Sequence, residues 1–149
     1  MEIKMDLTHG KYLGVDYGDK RTGLAECDPS GLIASGIGTI SEGGMRKTAQ
    51  RVAKEAESRF CKKIVVGLPK NMDGSLGERT EVIKAFAALL SEYTKIEIDF
   101  YDERMTTMVA YRYLDGSGTY GKARRAAIDT LSAEIILQGY IDRERMLKK

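Results

Sequence analysis

Apolar and polar positions alternate in the first third of the chain and then shift to a helical period. Tyr12-Leu13-Gly14-Val15-Asp16 reads as a strand, Asp19-Lys20-Arg21 as a turn, and Thr22 to Glu26 as a returning strand. Asp28-Pro29-Ser30-Gly31 is turn chemistry, and a third extended segment runs through Ile33, Ile37 and Ile40. Three extended segments on short turns predict an antiparallel meander. Ala49, Val52, Ala53, Ala56 and Phe60 then recur at helical spacing, which predicts an amphipathic helix with those residues inward. Lys63 to Leu68 is a short strand whose Ile64, Val65 and Val66 suit burial on both faces. Beyond the loop Pro69 to Gly74, Ser75 and Glu78 have capping-box spacing, so a helix is expected to start there, with Val82, Phe86, Leu89, Leu90 and Tyr93 inward. Ile96 to Tyr101 is another strand, leading into Asp102-Glu103-Arg104. A short helix is expected over Thr106 to Leu114, and a mobile glycine-rich loop over Asp115 to Gly121. A last helix should run from about Arg124 to Arg145, with Ile128, Leu131, Ile135 and Ile136 in the core. The order β-β-β-α-β-α-β-α-α predicts an α/β fold, a mixed sheet flanked by helices.

The chain has 149 residues, 42% hydrophobic and 31% charged, which suits one domain over 1–149 with a flexible tail at 1–10. No apolar run approaches the ~20 residues of a membrane helix, and the mixed charges of Met1 to Lys11 do not resemble a signal peptide. Cys27 and Cys61 have neither CxxC spacing nor a histidine nearby, so reduced thiols and a cytoplasmic protein without a membrane partner are expected. The net charge is only +2, from 24 basic and 22 acidic residues. Its distribution is less even. From Arg104 onward nine basic residues face five acidic ones, a modest pointer to an anionic partner.

Three acids stand where the pattern leads one to expect apolar residues. Asp16 closes the first strand, Glu103 follows the last one, and Asp129 shares a helical face with Ser132, Ala133 and Ile136. Buried carboxylates are costly unless paired or bound to a cation. If the elements pack as their order suggests, the three converge, and clustered carboxylates suit hard cations such as Mg2+ or Mn2+. Two such ions serve phosphodiester hydrolysis. Taken singly, Asp16 and Glu103 also fit ordinary strand ends, and Asp129, near the expected helix start, fits a partner of the helix dipole.

Four segments in order resemble one known family, YqgF/RuvX. Gly14-Val15-Asp16-Tyr17-Gly18-Asp19-Lys20-Arg21-Thr22-Gly23-Leu24-Ala25 is similar to its opening motif. Val65 to Ser75 is similar to the second, Asp102-Glu103-Arg104-Met105-Thr106-Thr107 to the third, and Ile128 to Gln138 to the fourth. The resemblance spans about Lys11 to Asp142. It implies an RNase H-like five-stranded sheet and a metal-dependent nuclease with two Mg2+ or Mn2+ ions held by Asp16, Glu103 and Asp129. It further implies processing of the 5′ end of precursor 16S ribosomal RNA, in contact with ribosomal particles. Holliday junction resolution on branched DNA is the alternative. Asp102 is a candidate supporting ligand beside Glu103. The family often carries a basic residue before the hydrophobic-Asp pair, whereas Ala126-Ala127 stand here.

Candidate nucleic-acid contacts surround these acids. Lys20 and Arg21 follow Asp16 in the turn, Asn71 lies in the loop after a parallel strand, and Arg104 and Thr106 follow Glu103. Lys122, Arg124 and Arg125 flank the glycine-rich segment. Each also has an ordinary reading: basic turns aid solubility, Asn71 suits a turn, and Thr106 suits a helix N-cap. Two other functions fit parts of the pattern. Asp16-Tyr17-Gly18 with Thr22-Gly23 is similar to the phosphate motif of actin-like ATPases and sugar kinases, which use two related domains where this length supplies one. A non-catalytic RNA- or ribosome-binding factor is the third, opposed by three carboxylates that repel phosphate unless a cation offsets them.

Overall fold

The computed structural model describes residues 10–68, 77–102 and 121–147, with the backbone alone for 121–127. Three strands, β1 (Tyr12–Asp16), β2 (Thr22–Cys27) and β3 (Ala34–Ile40), form the expected antiparallel meander. Helix α1 (Met45–Ser58) leads to β4 (Lys63–Gly67), and helix α2 (Glu78–Leu90) to β5 (Glu97–Tyr101). Helix α3 (Gly121–Leu147) closes the described chain. The sheet order is β3-β2-β1-β4-β5, with β4 parallel to both β1 and β5. The mixed five-stranded sheet matches the expectation from sequence. The short helix expected at 106–114, the glycine-rich loop before Gly121 and most of the N-terminal tail lie outside the described residues.

Strand alternation divides the interior into two cores. Leu13, Val15, Leu24, Ile64 and Val66 face α1 and α2, where they meet Val52, Ala53, Ile83, Phe86 and Leu90. Tyr12, Ala25, Cys27 and Val65 face the other way, onto Ala133, Ile136, Leu137, Tyr140 and Ile141 of α3. β4 is thus buried on both faces, as its apolar run predicted.

Glycines floor the α3 side of the sheet. A Cβ on Gly14 would lie 2.8 Å from Leu137 Cβ and 2.9 Å from the Ala133 carbonyl oxygen. On Gly23 it would lie 1.9 Å from the carbonyl oxygen of Asp129, and on Gly36 2.4 Å from Thr130 Cγ2. Side chains there would push the helix off the sheet. The edge strand is tied to the same helix, since Gln138 accepts from Ala34 N at 2.8 Å and donates to Leu32 O at 3.0 Å.

Several local expectations need correction. Phe60 is 86% exposed rather than inward, because α1 ends at Ser58 and Phe60 takes a left-handed φ of 57° in the turn that follows. Ile33 precedes β3 and is exposed. The N-cap of α2 is Gly77, with Glu78 its first helical residue, and Ser75, the expected capping partner, lies outside the described residues. On α3 the core residues Ile128 and Ile136 were foreseen, but Leu131 and Ile135 are only half-buried. Leu137, Tyr140 and Ile141 take their places, because the helix turns its small-residue face to the glycine floor.

Replacing Gly23 by alanine should destabilise the fold by about 1–3 kcal/mol, the usual range for overpacking a close contact. Urea unfolding measures it, and an unchanged midpoint would mean α3 does not rest on β2 as described.

Candidate active site

The carboxyl end of β1 is where the two acids within the described residues approach. Tyr12 and Gly14 face α3 while Leu13, Val15 and Tyr17 face the opposite core, so the alternation sets Asp16 on the α3 side. Its cross-strand partner is Gly23, the residue covered by the Asp129 carbonyl. The helix therefore brings Asp129 to the strand end that carries Asp16. Asp129 is the ninth residue of α3, well past its first turn, so the helix-dipole reading loses its basis. One turn further on, Ser132 is 1% exposed, and its Oγ has no hydrogen-bond partner among the described residues.

Arg21, the last residue of the β1–β2 turn, donates its Nε to Asp129 Oδ2 at 2.7 Å. Lys20 is exposed, and its carbonyl accepts from Ser41 Oγ at 3.0 Å. The turn is tight. A Cβ on Gly18 would sit 2.3 Å from the Arg21 carbonyl oxygen.

A residue that sequence reasoning missed holds this turn from the other face. Arg79 donates to the Tyr17 carbonyl, pairs with Asp19 Oδ1 at 3.4 Å, and lies over the Tyr17 ring at 5.7 Å. Tyr17 in turn stacks on Phe86 at 4.3 Å. A signal existed: Arg79 occupies the first turn of α2, where the helix dipole disfavours a cation, so another contact had to retain it.

Asp102 follows β5 and is half-buried. Within β5, Asp99 and Tyr101 face α3, whereas Ile98 and Phe100 face the other core. Glu103, Arg104, Thr106 and Asn71 lie outside the described residues. Lys122, Arg124 and Arg125 lie on the first turns of α3, ahead of Asp129.

The opposite end of the helix is anchored by a polar network, also not foreseen. Lys63 Nζ donates to Tyr140 OH at 2.8 Å and to Glu144 Oε2 at 3.3 Å. Tyr140 OH donates to Asp99 Oδ2 at 2.7 Å, and Tyr12 OH to Glu144 Oε1 at 3.0 Å. Burial opposes the Lys63 charge, yet Tyr140 and Glu144 leave the ammonium more stable than usual. Burial, followed by the bond to Glu144, pushes the Tyr12 phenol up to about 12. Tyr140 lies eleven residues, or ~16 Å, along α3 from Asp129.

The donors at the acidic end are hard carboxylate oxygens, the kind Mg2+ and Mn2+ prefer. Among the described residues no group of three His, Cys, Asp or Glu side chains could hold a metal ion, so a full set needs Glu103 or another donor. No helix among them is long and apolar enough to cross a membrane.

Sheet order and crossing helix are those of resolvase-type nucleases with an RNase H-like fold. The chain superposes on Thermus thermophilus RuvC bound to a Holliday junction with a TM-score of 0.58 and 14% identity, covering 93% of this chain and 97% of that one. Fowlpox virus resolvase, also with junction DNA, gives 0.57 and 10%, over 90% and 98%. Residues 10–143 match the RuvX family, described as Holliday junction resolvase, and the chain belongs to that family. A Clostridioides difficile protein named "Putative pre-16S rRNA nuclease" is 41% identical over 133 residues, 89% of this chain and 94% of that one. One of the same name from Caldanaerobacter subterraneus is 40% identical over 136 residues, 91% and 98%. Family and relatives make this chain a nuclease, a phosphodiester hydrolase.

Arg79→Ala should release the β1–β2 turn. Its stability cost should be about 1–2 kcal/mol, and hydrogen exchange should quicken at the amides of residues 17–22. Unchanged exchange there would show that Arg79 does not hold the turn.

Proposed function

We propose that the chain is a divalent-metal-dependent endonuclease of structured nucleic acid, with Asp16, Glu103 and Asp129 as metal ligands. The observation that carries this reading is the seating of the Asp129 backbone on Gly23, the strand partner of Asp16. Glu103 is taken ahead of its neighbour Asp102 as the third ligand because it holds the acidic position of the family-like third motif. The buried Ser132 hydroxyl, without a partner among the described residues, leaves a further oxygen near the same helical face. Bound there, one or two Mg2+ or Mn2+ ions supply a nucleophile at neutral pH and offset charge on the leaving oxygen.

The protein's own residues do the rest. The two aspartates are held by strand and helix rather than by loops, which fixes their geometry before substrate arrives. Arg79 fixes the turn that carries Lys20 and Arg21, and those two flank the acids as phosphate contacts. Lys122, Arg124 and Arg125, at the start of α3, extend the track for the nucleic-acid backbone, and Asn71, Arg104 and Thr106 complete the set of contacts.

The substrate supported best is precursor 16S rRNA, because relatives named for a pre-16S rRNA nuclease match at 35–41% identity over most of their length. Cleavage at its 5′ end, in the cytoplasm on ribosomal particles, is proposed on the family resemblance of the motifs. Branched DNA is the second reading, favoured by the family's description and by structural neighbours bound to Holliday junctions.

Precursor rRNA and a four-way junction, incubated side by side with and without Mn2+, separate these. Wild type should cut precursor rRNA only with metal, and Asp16→Asn or Asp129→Asn should each lower the rate about a hundredfold or more. Cleavage of the junction alone would favour the second reading. RNA binding that ignores Mn2+ and survives loss of all three acids, without cleavage, would identify a non-catalytic binding factor.

A further inference from the structure

We propose that Arg21 is a resident counter-cation of the acidic site: it holds Asp129 in the free protein, and a divalent cation must displace it. The inference rests on the reading of Asp16 and Asp129 as cation ligands.

Three observations carry it. First, the guanidinium is bonded to a proposed ligand atom itself, with Nε 2.7 Å from Asp129 Oδ2. A divalent cation on that oxygen would meet a full positive charge at close range. Guanidinium groups do not deprotonate in proteins, so the arginine can yield only by moving. Second, it is built to move. Among the described residues Nε makes its one hydrogen bond, its side chain is 33% exposed, and the terminal nitrogens remain as donors. Third, the backbone beneath it does not move with it. Gly18 packs on the Arg21 carbonyl, Ser41 bonds the Lys20 carbonyl, and Arg79 bonds the Tyr17 carbonyl. Only the side chain is free to swing.

The consequence is a coupling between metal and substrate. Without nucleic acid, Arg21 offsets the repulsion of the converging acids and weakens metal binding. A phosphate next to the site offers the guanidinium a bidentate partner and frees Asp129 for the cation. Metal and nucleic acid then each raise the affinity of the other.

The test is Mn2+ binding without nucleic acid, followed by electron paramagnetic resonance of the free ion, for wild type, Arg21→Gln and Arg21→Lys. Arg21→Gln should bind Mn2+ about threefold to tenfold more tightly than wild type, since one close positive charge is gone, with Arg21→Lys between them. At saturating Mn2+, the same Arg21→Gln protein should nevertheless cleave more slowly, having lost a phosphate contact. A purely structural role for Arg21 would instead lower both. Equal or weaker Mn2+ binding by Arg21→Gln, when wild type binds and Asp129→Asn does not, overturns this inference alone. No Mn2+ binding by any of the proteins overturns the metal reading and this inference with it.

Discussion

The rest of the structure depends on how closely one helix can approach one sheet. Helix α3 lies over β1, β2 and β3 on glycines, and at Gly23 the carbonyl of Asp129 fills the space a side chain would need. This contact decides where Asp129 stands. Had β2 carried an alanine or valine at that position, the helix would ride higher and the aspartate would leave the end of β1. The sheet pairing then completes the placement, because Gly23 is in register with Asp16. A steric fact on one strand and a hydrogen-bond register between two strands thus assemble a site from residues far apart in sequence.

Two polar devices secure what the glycines permit. At the far end of α3, Lys63, Tyr140, Asp99, Glu144 and Tyr12 lock the helix to the starts of β1 and β4 and to β5. Every charged member has a partner, which is the condition for a half-buried network to hold its elements rather than weaken them. At the near end, Arg79 and the stacked pair Tyr17–Phe86 fix the turn that leaves Asp16. The proposed site stands at the carboxyl end of β1 and the anchor at the starts of β1 and β4, so the two lie at opposite ends of the same helix.

Strands and helices carrying a clear period were legible in the sequence. The apolar run of β4, the meander and most of the inward face of α1 follow from alternation and from 3.6-residue spacing. On α2 Phe86 and Leu90 are buried as expected, while Val82, Leu89 and Tyr93 are half-buried and Ile83 and Ala87 complete the face. Where period and geometry part company, the sequence misleads. Phe60 continues the spacing of α1 by two residues beyond the helix end, and the turn exposes it. Leu131 and Ile135 looked like core, but the glycine floor draws in the small face of α3 and shifts the apolar load to Leu137, Tyr140 and Ile141. Glycine has no side chain to mark a contact, so the floor itself gave no periodic signal. The roles of Arg79 and Lys63 depend on partners from other elements, and only the place of Arg79 in the first turn of α2 hinted at one. Asp16 and Asp129 were legible as misplaced acids and as parts of family-like motifs, and their approach is a matter of packing. Glu103 stands on sequence alone.

The central claim is that packing on Gly23 makes Asp16 and Asp129 two walls of one cation site. Paramagnetic broadening of backbone amide resonances by substoichiometric Mn2+ tests it directly, since the ion relaxes only nearby nuclei. The signals of residues 16–17 and 129–130 should fade together, while those of Lys63, Asp142 and Glu144 at the anchored end persist. Broadening confined to one of the two aspartates, or strongest at the anchored end, would contradict the account.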